Sequence, residues 1–363
     1  MAGVWLFAVV TVLTVSAVFP RPQGKYNGYK VLQITSDGDV RTFAKGATNL
    51  IHDFDVDVWS RGKNSADVMV SPSDFAAFQR AATAANLKVA VKIDDVQSEL
   101  DREYQQRSRV KPMEQADITN TYLRYAEIND FLNTVVTGAT EADVTMRSMG
   151  LSVEGRETNY LEIKEKGSTG QKLAVVIDAG IHAREWISVA VALNVIQKLT
   201  LNPENDPDVQ DMLQKFDWFI APVVNPDGYD YSHGPNNRLW RKSRTTEYSR
   251  SCPGVDLNRN FGYEWDPARG GSTNPCSSVY SGPNGFSEPE TQNIRDWLAP
   301  LANRTRLYLN THAYGEVMLY PYGWDDKAFR EEEHLMSQIR PVADDTWEGL
   351  KAMAREVFAI YNN

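Results

Sequence analysis

A chain of 363 residues exceeds one typical domain of about 100–150 residues, so we expect at least two folded units. Hydrophobic residues make up 42% of the chain and charged residues 24%, a composition that excludes a mostly disordered protein. Acidic residues number 48 against 38 basic ones, and the basic face expected of a nucleic-acid binder is missing. Two cysteines are too few for a cysteine-rich zinc finger or a disulfide scaffold.

The first 20 residues carry no charged side chain and contain an apolar run over Val4–Val18. This run is shorter than the roughly 20 apolar residues of a membrane-spanning helix, and it ends in small residues around Ala17. The pattern predicts a secretory signal peptide at residues 1–17, with an uncleaved membrane anchor as the alternative. We therefore expect a secreted, extracellular protein that does not bind membranes. In that oxidising compartment, Cys252 and Cys276 would pair rather than remain free thiols.

The next predicted unit covers residues 18–109. Alternating apolar residues predict strands over Tyr29–Ile34 and Leu87–Ile93. Between them, the run Ser71–Asp74 combines a capping serine, an early proline and an early acid, which predicts a helix start. Together these elements predict a small α/β unit with a partly open sheet.

Residues 94–109 are polar and contain good helix formers but few apolar anchors, so they predict a solvated connecting helix. The stretch ends in the basic residues Arg107, Arg109 and Lys111. Basic residues in an exposed segment between two units favour cleavage by a trypsin-like protease, which we expect between Arg102 and Lys111. A plain linker is the alternative.

The second unit, residues 110–363, alternates predicted strands and helices. The predicted strands are Val144–Met149, Tyr160–Glu165, Leu173–Ala179, Trp218–Val224, Arg306–Asn310 and Val317–Tyr320. The predicted helices are Tyr122–Val136, Ile187–Leu199, Asp206–Phe216, Glu288–Ala302 and Thr346–Ile360. Because Leu173–Ala179 is nearly all apolar, we expect it to be covered on both faces. The alternation predicts an α/β sheet with helices on both faces.

Three residues that can bind metal follow two of these strands. His182 and Glu185 come just after Leu173–Ala179, at the turn into a helix, and His312 comes just after Arg306–Asn310. In open α/β sheets, ligands bind beyond the carboxyl ends of strands. Two histidines and one glutamate form a zinc site of the catalytic type, in which water takes the fourth position. A solvated His-x-x-Glu pair on a helix surface is the alternative, because such pairs are common.

Further motifs occur in order along the chain. Arg238 and Arg241 flank Trp240, Asn258 and Arg259 lie within Asp256–Phe261, and His312-Ala313-Tyr314 precedes Leu319–Gly323. With these motifs the chain closely resembles the secreted zinc metallocarboxypeptidases of the carboxypeptidase A/B family, over nearly everything after residue 17. The resemblance implies a mixed-sheet peptidase domain with helices on both faces at residues 110–363. It also implies that residues 18–109 are the inhibitory propeptide of a zymogen.

The resemblance implies roles at single positions around one Zn²⁺ ion. It makes His182, Glu185 and His312 the zinc ligands, and it makes Arg241 the catalytic arginine that steadies the polarised carbonyl oxygen. A cation aimed at a developing oxyanion lowers the barrier electrostatically. The alternative for Arg238 and Arg241 is a surface pair bound to acids.

The remaining implied roles concern the substrate and the disulfide. Asn258 and Arg259 match the pair that grips the substrate's terminal carboxylate, since a guanidinium holds a planar carboxylate with two hydrogen bonds. Arg184 and Tyr314 match residues that help to bind the substrate chain. The resemblance also pairs Cys252 with Cys276. The expected partners are peptide or protein C-termini and an activating protease at the propeptide boundary, and we expect a monomer.

One part of the family pattern is missing from the sequence. In the family, the general-base glutamate lies well downstream of the third zinc ligand, beyond a mobile tyrosine and the residues that floor the specificity pocket. Only 51 residues follow His312, and from about Ser337 they resemble the family's last helix and its lead-in. The chain thus resembles a peptidase domain with a segment missing between Asp325 and Leu335.

This gap leaves alternatives open. One reading is an incomplete gene model or splice form of an active exopeptidase, which we favour because nearly every other functional position is intact. A second is a non-catalytic, zinc-containing protein that holds peptide C-termini. A third is a structural α/β protein with surface histidines and glutamates. Side-chain preference depends on the pocket floor and so cannot be predicted from this sequence.

Overall fold

The structure, a computed structural model, describes residues 24–314 apart from residues 37, 39, 55, 63, 109–117, 119–120 and 202–205. Several sequence-based expectations lie outside the described residues. They are the signal peptide at residues 1–17, the unit boundary at residue 109, the strand Val317–Tyr320, the gap near residues 325–335 and the helix Thr346–Ile360.

The N-terminal unit is a four-stranded antiparallel sheet with helices. In chain order its elements are β1 (Lys30–Thr35), α1 (Val40–Phe54), β2 (Asp57–Arg61), β3 (Ser65–Val70), α2 (Phe75–Ala84), β4 (Lys88–Ile93) and α3 (Val96–Ser108). The strand order is β2-β3-β1-β4, and all neighbours are antiparallel. Apolar residues of β1 and β3, such as Leu32 and Val68, pack with Phe43 of α1 and Phe78 of α2. This core confirms the expected small α/β unit.

The sequence-based expectations for this unit hold in part. β1 and β4 lie within one residue of the predicted strands, whereas α1, β2 and β3 were not predicted. A signal for α1 exists, because Phe43, Ala47 and Leu50 recur at helical spacing and are buried. The predicted helix start is too early: the Ser71 hydroxyl accepts a hydrogen bond from the Asp74 amide (3.2 Å) in a turn, and α2 begins at Phe75.

The connecting helix α3 is present but is not simply solvated. Val96 and Gln97, in its first turn, are only 1% and 4% exposed. The Val96 amide donates to the Tyr29 carbonyl (2.8 Å), and the Gln97 side chain accepts from the Tyr26 amide (3.1 Å). Two buried residues are thus enough to anchor the helix, although the rest of it is polar. Arg102 lies inside this helix rather than in an open linker.

The C-terminal unit contains a five-stranded mixed sheet. Its elements are α4 (Tyr125–Gly138), β5 (Ala142–Leu151), β6 (Glu157–Glu165), β7 (Leu173–Ala179), α5 (Trp186–Thr200), α6 (Pro207–Lys215), β8 (Phe216–Ala221), α7 (Pro226–Ser232), α8 (Pro289–Leu298) and β9 (Thr305–Thr311). The strand order is β5-β6-β8-β7-β9. β6 is antiparallel to β5 and β8, whereas β7 is parallel to β8 and β9.

Helices cover both faces of this sheet, as expected. On one face, Val175 and Ile177 of β7 pack with residues of α4, α5 and α6. On the other, Ala174 and Val176 pack with Ile294 and Trp297 of α8. Six of the seven residues of β7 are buried, which explains its nearly unbroken apolar sequence.

The sheet brings two strand ends together. β7 and β9 run parallel in a register that pairs Ala179 with Thr311, so they end at the same edge. Gly180 follows β7 with φ +68°, and a Cβ atom there would lie 2.9 Å from Cγ2 of Val189. A larger residue would be strained and crowded at this position, so glycine permits the turn from β7 towards α5. The segments that follow β7 and β9 therefore meet.

A disulfide joins Cys252 to Cys276, as the resemblance implies. It closes a loop that contains the turn Leu257–Arg259. Next to the second cysteine, the Pro275 carbonyl accepts a hydrogen bond from Lys242 Nζ (2.7 Å). The disulfide thus closes the loop, and the bond from Lys242 ties its end to the rest of the unit.

Replacing both cysteines with serine should lower the free energy of unfolding by about 3 kcal/mol, because the 24-residue separation restricts the unfolded chain. Urea unfolding of the double variant, beside the wild type, measures the change. The exposed neighbour Ser251 gives a control: Ser251→Ala should alter stability by less than about 0.5 kcal/mol. A double variant as stable as the wild type would contradict this estimate.

Candidate metal centre

The three predicted metal ligands lie together at the shared edge of β7 and β9. His182 lies in the turn after β7, Glu185 directly precedes α5, and His312 follows β9. Nδ1 of His182 is 2.8 Å from Oε1 of Glu185, and Nδ1 of His312 is 3.0 Å from Oε2 of Glu185. The two Nδ1 atoms are 3.1 Å apart. One ligand atom from each residue can thus face a common point.

The chemistry and spacing of these atoms fit zinc. Imidazole nitrogen and carboxylate oxygen bind zinc at about 2.0–2.1 Å, which places neighbouring ligands of a tetrahedron about 3.3 Å apart. The observed separations of 2.8–3.1 Å are slightly shorter than this. Three protein ligands leave a fourth tetrahedral position, and a cavity of about 200 Å³ borders Glu185.

Asp256 orients His182 from the side away from this cluster. Nε2 of His182 lies 3.1 Å from Oδ1 of Asp256, which is fully buried. Arg241 donates to Oδ2 of Asp256 from Nε (3.2 Å) and Nη2 (3.0 Å). Burial opposes ionisation of Asp256, but the charge of Arg241 and the hydrogen bond from His182 outweigh it and hold the pKa of this carboxyl well below its usual value. Asp256 is therefore a carboxylate that accepts the Nε2 proton.

This hydrogen bond sets the role of the opposite ring nitrogen. With its proton on Nε2, His182 presents a lone pair on Nδ1 towards Glu185 and His312. Lone-pair atoms about 3 Å apart repel one another unless a cation or a proton lies among them, so these three residues can share a proton or hold a metal ion. Burial also opposes ionisation of Glu185, but the neighbouring imidazoles outweigh it and lower the pKa of Glu185. Asp256 was not predicted from sequence, although it opens the motif Asp256–Phe261.

The structure brings Arg241 and Asn258 to the edge of the cluster. Nη1 of Arg241 is 3.7 Å from Oε1 of Glu185. Nδ2 of Asn258 is 3.4 Å from Nε2 of His312. Arg259 is on the same turn as Asn258, and its guanidinium donates to the carbonyls of Gly270 (Nε, 2.8 Å) and Asn258 (Nη1, 2.8 Å). Two backbone carbonyls thus hold the Arg259 guanidinium beside this turn.

Arg184 and Tyr314 contact acidic residues of the N-terminal unit. Arg184 pairs with Asp57 through its two terminal nitrogens, Nη1 and Nη2, with Nη2 3.0 Å from Oδ1. Burial opposes ionisation of Asp57, but Arg184 outweighs it and lowers the pKa of that carboxyl. The Tyr314 hydroxyl donates to Oδ2 of Asp67 (2.9 Å). The two residues expected to bind substrate thus both contact the N-terminal unit, although Tyr314 remains 48% exposed.

Arg238 forms a third contact of this kind. Its Nε donates to both carboxylate oxygens of Glu103 in α3 (3.0 Å each), and its Nη1 donates to the Arg184 carbonyl (2.7 Å). The central carbon of the Arg238 guanidinium lies 3.7 Å from the centre of the Trp186 ring, so the cation lies over the face of that ring. Both Arg238 and Arg241 are therefore bound to acids away from an open surface: Arg238 at the interface between the two units, and Arg241 inside the C-terminal unit. The acids Asp57, Asp67 and Glu103 were not predicted from sequence.

Comparison with known proteins agrees with this geometry. The sequence profile of the zinc carboxypeptidases matches residues 128–358, and that of the carboxypeptidase activation peptide matches residues 45–103. Carboxypeptidase B of Helicoverpa zea is 35% identical over 330 residues, which cover 86% of this chain and 74% of that protein. Carboxypeptidase A1 of Bos taurus is 33% identical over 335 residues, covering 90% and 77%.

A solved structure also matches. Carboxypeptidase A from Helicoverpa armigera has a TM-score of 0.76 and 28% identity, covering 87% of this chain and 78% of its own. The expected fold and zinc cofactor type are thereby confirmed. The chain belongs to the zinc carboxypeptidase family and carries that family's activation peptide ahead of its peptidase domain.

Proposed function

We propose that residues 110–363 act as a zinc exopeptidase that removes C-terminal residues from peptides and proteins, and that residues 18–109 form its propeptide. In this proposal residues 1–17 are a cleaved signal peptide, and the protein is a secreted monomer. The observation that carries the proposal is the convergence of His182, Glu185 and His312 on one point, beside Arg241. In the part of the chain that the structure describes, no helix has the length and apolarity needed to cross a membrane.

In the proposed site, His182, Glu185 and His312 hold the metal. Zinc, when bound, supplies Lewis-acid chemistry: it polarises the scissile carbonyl and makes water more acidic. Asp256 accepts hydrogen bonds from both His182 and Arg241, and so it fixes the imidazole ring and the guanidinium relative to each other. Arg241 is thus preorganised beside the metal ligands, where its charge stabilises an oxyanion that develops on the substrate carbonyl.

The remaining residues position the substrate. Arg259 and Asn258 grip the terminal carboxylate, which makes the enzyme an exopeptidase rather than an endopeptidase. Arg184 and Tyr314 bind the substrate chain further upstream. In the zymogen these upstream residues are occupied by Asp57 and Asp67. Cleavage near residue 109 by an activating protease, followed by departure of the propeptide, exposes them.

In this proposal, no described residue near the cluster is left to act as the general base. Among the described residues, the acids nearest the cluster are Glu185 and Asp256, and both already have roles there. The sheet edge is consistent with a missing segment: no residue of β9 is fully buried, whereas its neighbour β7 is almost wholly buried. We therefore favour an incomplete version of an active enzyme. Extra in-frame sequence near codon 330 of the transcript would support this, and its absence would favour the non-catalytic binder of peptide C-termini.

The chain should bind one zinc ion, and His182→Ala should abolish that binding, because two protein ligands rarely hold zinc against water. Zinc content of the purified chain, measured after dialysis, gives the stoichiometry. His52→Ala is the matched control, since His52 lies on α1 with its side chain 89% exposed, and it should retain one zinc ion. Full occupancy in His182→Ala would rule out the assigned site.

Asp57→Asn should weaken the hold of the cleaved propeptide on the peptidase domain by about 30-fold or more. The reason is that removing one partner of a buried interfacial ion pair costs about 2–5 kcal/mol. After cleavage at the boundary, the dissociation constant of the two units can be measured by titration. Asp53→Asn, at an exposed aspartate of α1, is the control and should change little.

The same contact predicts a pH dependence. Because the pKa of Asp57 is lowered in the folded protein, its contribution is complete above the usual aspartate pKa of about 4. It is lost as the pH falls below that value towards the lowered pKa. The wild-type propeptide should therefore bind more weakly in strong acid than at pH 7, whereas equal binding of wild type and Asp57→Asn at pH 7 would contradict the role of this pair.

The 363-residue chain should show no carboxypeptidase activity above background, even without its propeptide. Positioned proton transfer typically contributes about 10²–10⁴-fold, and the chain lacks the base that supplies it. Release of the C-terminal residue from a blocked dipeptide, with and without a zinc chelator, measures this. Inserting a family-like segment between Asp325 and Leu335 should restore turnover. Chelator-sensitive turnover by the chain as given would instead assign the base to Glu331, Glu332 or Glu333.

A further inference from the structure

Asp178, the penultimate residue of β7, forms side-chain and backbone contacts with three residues of β9. Its side chain is fully buried. Oδ2 accepts a hydrogen bond from the Tyr308 hydroxyl, and Oδ1 accepts one from Nδ2 of Asn310. The carbonyl of Asp178 accepts a further bond from the Thr311 hydroxyl (3.0 Å). Three contacts thus connect Asp178 of β7 to the last four residues of β9.

A buried carboxylate at this position is costly for the fold. Within the described part of the chain, no lysine or arginine forms an ion pair with Asp178, and burial raises the pKa of Asp178 to about 6. Ala174 and Val176 occupy the same face of β7 and pack there as apolar residues. The parallel ladder already pairs Asp178 with Asn310 through the backbone. The two strands would therefore pair without the carboxylate, which indicates that the carboxylate has another role.

The contacts of Asp178 bear on the position of His312. Alternate residues of a strand point to one face, so Tyr308 and Asn310 share a direction on β9, and His312 is the next alternate residue, one position past the last strand residue Thr311. The two residues before His312 in this series are the ones that Asp178 holds. His312 is also the most exposed of the three ligands, at 33% of its side chain against 4% for His182. Since β9 is an edge strand of the described sheet, packing alone constrains this ligand weakly.

We propose that Asp178 is a positioning residue for the metal centre: by holding Tyr308, Asn310 and Thr311, it fixes the carboxyl end of β9 and thereby the place of the His312 ligand atom. The proposal rests on the proposed function, in which His182, Glu185 and His312 hold zinc. Partners that orient metal ligands typically change metal affinity by about 10–100-fold when removed. Asp178 acts one step further out, through the strand that carries the ligand.

The test compares Tyr308→Phe and Asp178→Asn with Tyr160→Phe in the full-length chain at pH 8, where Asp178 is ionised. Tyr160 is a matched control, because it lies on β6 on the same face of the sheet and packs against Trp297. Zinc affinity is measured by competition with a chromophoric chelator. Co²⁺ substitution gives a visible spectrum that reports the geometry of the ligands, and thermal unfolding in excess chelator reports the stability of the metal-free fold.

We expect Tyr308→Phe and Asp178→Asn to weaken zinc binding by about 10-fold or more and to change the Co²⁺ spectrum. Tyr160→Phe should stay within about twofold of the wild type and keep its spectrum. Unchanged affinity and spectrum in Tyr308→Phe would overturn the proposal, and so would an equal loss in Tyr160→Phe. Tyr308→Phe alone decides the matter if Asp178→Asn does not fold. A wild-type chain without zinc would instead overturn the proposed function.

Discussion

The parallel pairing of β7 with β9 is the constraint on which the candidate site depends. Parallel strands end at the same edge of a sheet, so the segments after β7 and β9 meet although 127 residues separate Glu185 from His312. On one side of the site, the burial of β7 and the turn at Gly180 that follows it make the backbone rigid. β9 supplies the other side with much less burial, and polar contacts to Asp178 replace the missing packing.

Charge pairing organises the region around this edge. Asp256 joins a metal ligand to Arg241, so that one buried carboxylate sets both the ring orientation of His182 and the direction of a cation. On the outer side, the acids of the N-terminal unit neutralise Arg184 and Arg238. The cations therefore fall into two groups: one held by the peptidase domain itself, and one held by the activation peptide.

Local sequence patterns predicted much of this arrangement, whereas contacts between residues far apart in the chain could not be predicted. The apolar run of β7 and the short His-x-x-Glu spacing mark the metal ligands, because each pattern is contained in a few neighbouring residues. Asp57 and Glu103 could not be found in this way, since their partners lie 127 and 135 residues along the chain and single acids carry no periodic signal. The anchoring of α3 also escaped prediction, because its buried contacts come from Val96 and Gln97 in the first turn and its ion pair comes from Glu103.

The activation peptide contacts the peptidase domain from separate elements: Asp57 on β2, Asp67 on β3 and Glu103 on α3. While the units share one chain, each contact forms at a high effective concentration of its partner. Once the connection is cut, the contacts still lie on one folded body, so breaking a single one leaves the others in place to re-form it. Cleavage and release are therefore separate events, and the lifetime of the cleaved complex depends on all three contacts opening together.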